Sequence, residues 1–293
     1  MERLEVLKTY KIYIGGQFPR TESGRYYTPV DKKGNALANM CLSSRKDLRN
    51  AVVAARKAFG PWSERAAFNR SQILYRIGEM LEGRKAQFIE ELMKQGSSGT
   101  KAEEEVAMAV DRCVYYAGWC DKYTQVFSSV NPVASSHFNF STLEPTGVVG
   151  IIAPQTNSLI GLVSTILPVI AGGNSCVVLA SENLPLCSVT FAEVLATSDL
   201  PGGVVNILTG TEKELLDQFH SHMDINAVVY AGGNKENATK LEAGADCNVK
   251  RIFVYDTDFT AENDENPYYI LDTQEVKTTW HPIEHVGGAT SSY

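Results

Sequence analysis

The chain has 293 residues, of which 44% are hydrophobic and 21% charged, and carries a formal net charge of −7. This length supports one large domain or two smaller ones, and the acidic balance argues against nucleic acid or an anionic membrane surface as a partner. The longest apolar stretch, 159–172, falls short of the roughly 20 residues a membrane span requires.

Met1-Glu2-Arg3-Leu4-Glu5 opens no apolar signal region, so no secretory leader is expected. Six cysteines, at 41, 113, 120, 176, 187 and 247, form no C-x-x-C pair. They read as small core hydrophobes of a protein in a reduced, cytoplasmic compartment.

In chain order, residues 10–30 read as a hairpin, with Tyr10, Ile12 and Ile14 alternating, Gly15-Gly16 turning and Arg25-Tyr26-Tyr27 returning. Asp47-Leu48 opens a helix with Leu48, Val52, Ala55 and Phe59 on one face, stopped by Gly60-Pro61. Further helices are predicted over 68–82, 85–94 and 102–123, the last with Val106, Val110, Cys113, Ala117 and Cys120 at three-four spacing. A β-prone stretch punctuated by Ser and Pro covers 124–142. From 147 the rhythm changes: strands 147–153, 175–179, 204–208, 226–230 and 250–255 alternate with helices 158–171, 185–197, 212–219 and 234–244. That alternation predicts an α/β fold, a doubly wound parallel, Rossmann-like sheet with right-handed crossovers, preceded by helices. Residues 256–265 turn polar and acidic and read as a solvated linker. A last β-like segment covers 273–283, and the polar tail 287–293 is expected to be loose.

Several positions could carry chemistry. Gly232-Gly233 ends a strand where it feeds a helix; glycines there let a pyrophosphate approach the backbone, or simply make a tight turn. Glu182 follows the strand 175–179, where a carboxylate can bond ribose hydroxyls or, equally, cap the helix that begins near Leu184-Pro185. His220 and His222 flank Ser221, but a zinc site needs three or four ligands and none stands nearby at ligand spacing, so no metal is expected.

The run Leu143-Glu144-Pro145-Thr146-Gly147-Val148-Val149-Gly150-Ile151-Ile152-Ala153-Pro154, continued by Ala171-Gly172-Gly173-Asn174-Ser175-Cys176-Val177-Val178-Leu179-Ala180-Ser181-Glu182, resembles the aldehyde dehydrogenase superfamily. The family pattern is close to P-x-G-V-V-G-x-I-x-P-W-N-x-P followed by A-G-N-x-V-V-x-K-P-x-E. The resemblance covers 10–255 and about 273–283, and it is broken where chemistry would be done. The family's Lys for the adenosine ribose aligns with Leu179, while its Glu is kept as Glu182. Its oxyanion-binding Asn aligns with Thr156, with Asn157 one place later, and its general base aligns with Tyr255. A tyrosine, with a pKa of about 10, is a poor base at neutral pH. Its Phe-Thr-Gly-Ser turn aligns with Tyr230-Ala231-Gly232-Gly233, and the second glycine beyond it with Asn237. The family's nucleophilic cysteine lies in a second α/β domain after the base-bearing strand; no cysteine follows Tyr255, and a run resembling the family's C-terminal arm begins at Thr273.

The resemblance therefore implies a cofactor-type domain over 1–255, including an oligomerisation hairpin at about 124–146, a polar linker over 256–272, and an oligomerisation strand and tail over 273–293. The catalytic domain is missing between them. This combination is similar to the non-catalytic second copy of the family-16 type. Two functions follow as expectations. One is a pseudoenzyme, a structural or regulatory subunit with no catalytic residues that forms homo-oligomers or joins an aldehyde dehydrogenase-like chain. The other is an NAD(P)-binding part, holding NAD or NADP weakly through Glu182, Gly232 and Gly233, that needs a catalytic domain from another chain.

Overall fold

The computed structural model describes residues 6–261 and 264–283; the tail expected at 287–293 lies outside them. The Gly15-Gly16 turn forms, with Ile14 bridging Gln17, but the return of the expected hairpin goes elsewhere. Strand β1 (Tyr26–Tyr27) pairs antiparallel with β2 (Met40–Cys41), while Tyr13 exchanges backbone hydrogen bonds with Ile207. Burying Tyr13 and Ile12 against the sheet outweighs a local hairpin, because two short strands alone are marginal in water.

Helix α1 (Arg45–Ser63) starts at Ser44, whose amide and hydroxyl both donate to Asp47 Oδ2 at 2.7 and 2.8 Å. It runs through Gly60-Pro61 instead of stopping there. Trp62 is buried and its indole N–H donates to the Ile170 carbonyl at 3.0 Å, so packing of the last turn outweighs the hydrogen bond lost at the proline. Helices α2 (Ala67–Glu82) and α3 (Lys85–Lys94) follow as expected, whereas α4 (Gly99–Trp119) begins and ends earlier than the expected 102–123, with Cys120 as its C-cap. The β-prone stretch begins as a helix, α5 (Tyr123–Phe127), with Tyr123 buried and its hydroxyl donating to the Gly172 carbonyl. The hairpin proper is β3 (Ser129–Asn131) and β4 (His137–Pro145).

The alternating half is built from β5 (Val148–Ile152), α6 (Ile160–Ala171), β6 (Ser175–Leu179), α7 (Leu186–Ala196), β7 (Val205–Leu208), α8 (Glu212–Ser221), β8 (Ala227–Tyr230), α9 (Lys235–Ala243) and β9 (Arg251–Val254). Its five strands are all parallel, in the order β7-β6-β5-β8-β9. Every residue of β5 and of α6 is buried, as a central strand covered on both faces requires. Successive strands add on one side of β5 and then on the other, and that reversal opens a crevice beyond their carboxyl ends.

Beyond β9 come a short helix, α10 (Tyr268–Asp272), and β10 (Gln274–Pro282). Strand β10 pairs antiparallel with the whole of β4, and β3 takes the other side, giving a second sheet in the order β10-β4-β3. The segment expected as a solvated linker is anchored instead. Phe259 is buried, and Arg112 of α4, 2% exposed, reaches up to it. Arg112 donates to Ser164 Oγ at 2.9 Å, to Asp264 Oδ2 at 3.3 Å and to the Phe259 carbonyl at 3.3 Å. Tyr116 adds a hydrogen bond to the Asn266 carbonyl. Polar composition concealed this docking because its partner, a buried guanidinium, is far away in sequence.

Candidate functional site

The crevice beyond the strand ends is an open cleft of about 710 Å³, lined by Gln155 after β5, Glu182 and Asn183 after β6, Glu212 and Lys213 at the start of α8, and Gly232, Gly233, Asn234, Lys235 and Asn237 after β8. Glu182, Gly232 and Gly233 thus share one cleft. Gly233 has φ +76°, a left-handed conformation that favours glycine. Gly232 is needed for space: a Cβ there would lie 2.5 Å from Glu212 Oε1 and 2.8 Å from the Tyr230 hydroxyl oxygen.

Glu212 organises the cleft. It is 8% exposed. Gln155 Nε2 donates to its Oε1 at 3.3 Å; the Tyr230 hydroxyl and Asn237 Nδ2 donate to its Oε2 at 3.0 and 2.8 Å. Gln155 meanwhile accepts from the Glu182 amide at 2.9 Å and the Ser181 hydroxyl at 3.2 Å, tying the β5 and β6 loops together. Burial and the facing Glu212 carboxylate push the Tyr230 phenol up to about 12. Burial also raises the Glu182 carboxyl above its ordinary range, opposed by the Glu212 amide and reinforced by the Glu212 carboxylate. At the head of α9, Asn234 Oδ1 accepts from the amides of Glu236 and Asn237 at 2.9 and 3.2 Å. Of these groups, Glu182, Gly232, Gly233 and Asn237 are legible in the sequence. Tyr230 falls in the turn that resembles Phe-Thr-Gly-Ser, but that pattern gives its hydroxyl no role; Gln155, Glu212 and Asn234 have no motif of their own, and their signal is position, each lying just beyond the carboxyl end of a strand.

The other sequence candidates lie outside this network. Thr156 is exposed, whereas Asn157 is buried with its Oδ1 lacking a hydrogen-bond partner among the described residues. Tyr255 packs on Tyr269 with ring centroids 4.6 Å apart and donates to Asp272 Oδ2 at 2.8 Å. Burial, then Asp272, drives that phenol far above its ordinary value. His220 lies in the last turn of α8 and His222 caps it. Among the described residues no group of three His, Cys, Asp or Glu side chains could hold a metal ion. The described cysteines 41, 113, 120, 176 and 187 are free and buried.

The aldehyde dehydrogenase family profile matches residues 19–254. The chain belongs to the aldehyde dehydrogenase family. It is 30% identical over 249 residues to the mitochondrial benzaldehyde dehydrogenase of Antirrhinum majus, covering 83% of this chain and 46% of that protein. It is 28% identical over 258 residues to the cytosolic 10-formyltetrahydrofolate dehydrogenase of Mus musculus, covering 86% and 29%. The NAD+ complex structure of aldehyde dehydrogenase from Bacillus cereus superposes with a TM-score of 0.80 at 25% identity, covering 84% of this chain and 50% of that one. The chain thus spans about half the length or less of the aldehyde dehydrogenases it matches. The five-stranded parallel sheet falls within the part of the family fold that these matches share.

Leu179, which the resemblance places at the family's ribose lysine, is wholly buried at the end of β6. The glycine turn where phosphate would approach lies against the Glu212 carboxylate, and the Glu236 and Asn237 amides in the first turn of α9 donate to Asn234. These residues do not fit a dinucleotide pyrophosphate: the Glu236 and Asn237 amides and the Asn237 carboxamide are used internally, and the group nearest the turn is an acceptor. No helix among the described residues is long and apolar enough to cross a membrane.

Proposed function

We propose that this chain is a non-catalytic member of the aldehyde dehydrogenase family, a structural or regulatory subunit that associates with copies of itself or with an aldehyde dehydrogenase-like chain. One observation carries the reading: the position of the family's general base is Tyr255, and its phenol is bound to Asp272 in the anchored segment that leads directly from β9 to β10. A phenol so raised and so paired takes no proton from water at neutral pH. The exposed Thr156 leaves the oxyanion position without an amide as well, and such a donor is worth about two to three orders of magnitude in rate. The sheet formed by β4 and β10 supports the association role, because β10 forms one edge and can pair with another chain. The buried free thiols favour a reducing, cytoplasmic setting.

The test is turnover of short and aromatic aldehydes by pure protein with NAD+ or NADP+. Rates at the no-protein background are expected; a rate well above it overturns the reading. The second reading, an NAD(P)-binding part working with another chain's catalytic domain, draws on the shared cleft of Glu182, Gly232 and Gly233. It requires a rise in melting temperature with cofactor, since a ligand at a hundred times its Kd stabilises by about 2.7 kcal/mol.

A further inference from the structure

We propose that Glu212 closes this cleft to nucleotide phosphates, acting as a resident carboxylate in the place a phosphate would take. The inference rests on the non-catalytic reading, since a chain serving as half an oxidoreductase must hold the dinucleotide. Three features of a phosphate site are present in the fold: a glycine at the strand end, a helix N-terminus, and an amide side chain on the first turn of that helix. All three are turned to internal use. The space left by the missing Cβ of Gly232 is taken by Glu212 Oε1 at 2.5 Å. The carboxamide of Asn237 donates to Glu212 Oε2 at 2.8 Å. The α9 amides of Glu236 and Asn237 donate to Asn234, and Glu236 adds a further carboxylate to that first turn.

Charge points the same way. The Glu182 and Glu212 carboxylates line the cleft together with Lys213 and Lys235, so the two ammonium groups balance charge that is already resident. A phosphate would have to displace a hydrogen-bonded carboxylate and lie beside another, and like charges at contact distance in a partly buried site repel strongly. The tyrosine, asparagine and glutamine that hold Glu212 fix its carboxylate in that position, so the block is built into the cleft wall.

The experiment is calorimetric titration of the full chain and of two variants, Glu212→Gln and Glu212→Ala, with inorganic pyrophosphate, NAD+ and adenosine. Gln keeps the volume and removes the charge, and remains informative if the Ala variant fails to fold. The wild type is expected to bind neither pyrophosphate nor NAD+ below millimolar concentration. At least one variant is expected to bind pyrophosphate and NAD+ about tenfold more tightly or better, with adenosine unchanged. A submillimolar Kd for either phosphate ligand in the wild type overturns the inference, as does equal affinity, or equal absence of binding, in all three proteins. Dinucleotide binding by the wild type without aldehyde turnover would overturn this inference alone; turnover by the wild type would overturn the non-catalytic reading as well.

Discussion

Glu91 illustrates how much chemistry single residues of this chain hold away from the cleft. It is buried, its Oε1 accepts from the Tyr10 hydroxyl at 2.8 Å and the Thr190 hydroxyl at 2.7 Å, and Oε2 has no partner among the described residues. Burial raises its carboxyl above the ordinary range, against the pull of those two hydrogen bonds. A carboxyl raised in the folded state binds its proton more tightly there than in the unfolded chain. Its contribution is therefore complete below the ordinary carboxylate pKa and lost as pH rises through the raised value. The melting temperature of the wild type relative to Glu91→Gln should accordingly fall as pH is raised from the ordinary carboxylate range toward neutrality, a difference that differential scanning calorimetry reads directly. At Tyr255, substitution by Phe removes the hydrogen bond that opposes the burial-raised pKa of Asp272. A loss of about 1 kcal/mol in urea unfolding is expected, with a further rise in the Asp272 pKa by NMR titration. Residue identities of this kind divide sharply in legibility. Glu182, Gly232 and Gly233 could be placed at strand ends from local pattern alone. Glu212 could not, because its role depends on the start of α8 reaching the loops after β5 and β8, and only the sheet order brings those three segments to one crevice.

At the scale of elements, α1 and the β9-to-β10 connection depart most from their local signals. The start of α1 depends on Asp47, whose carboxylate accepts from Thr21, the Glu22 amide and Ser44. Burial alone would raise its pKa; these hydrogen bonds outweigh burial and hold it below the ordinary carboxylate value. Asp47→Ala leaves the Glu22 and Ser44 amides and two hydroxyls without that acceptor, and a cost of about 2 kcal/mol is expected from chemical denaturation. The connection depends on Arg112. Asp264→Ala removes its nearest charge partner while the guanidinium stays buried, so a cost of about 3 kcal/mol is expected, again by urea unfolding, whereas Asp258→Ala on the exposed part of the same segment should change little. Helix α1 passes its Gly60-Pro61 signal and the acidic segment docks for one common reason. Propensity and composition describe a residue's preferences in water, and a distant partner, the Ile170 carbonyl for Trp62 or Arg112 for Asp264, outweighs them once the chain is folded.

For the whole molecule, the β10-β4-β3 sheet is where an assembly is expected. Val276 and Trp280 are 65% and 57% exposed on β10, and an even spacing puts them on one face of the strand. Phe138 of β4 and Val130 of β3 are also exposed in this sheet. Replacing Val276 and Trp280 together by Lys should lower the mass found by light scattering to that of a single chain while far-UV circular dichroism stays unchanged. A wild type that is already monomeric would remove the basis for an association role. The amino-acid sequence by itself determined the alternating strands and helices, their parallel sheet and the family, because these follow from short-range periodicity and from residues contiguous along the chain. Only the tertiary structure decided that the acidic connection is docked, that Tyr255 is bound to Asp272, and that a carboxylate faces the glycine turn. Each of these joins residues separated in sequence, and their energies arise only when folding removes the groups from water and sets them within hydrogen-bond reach.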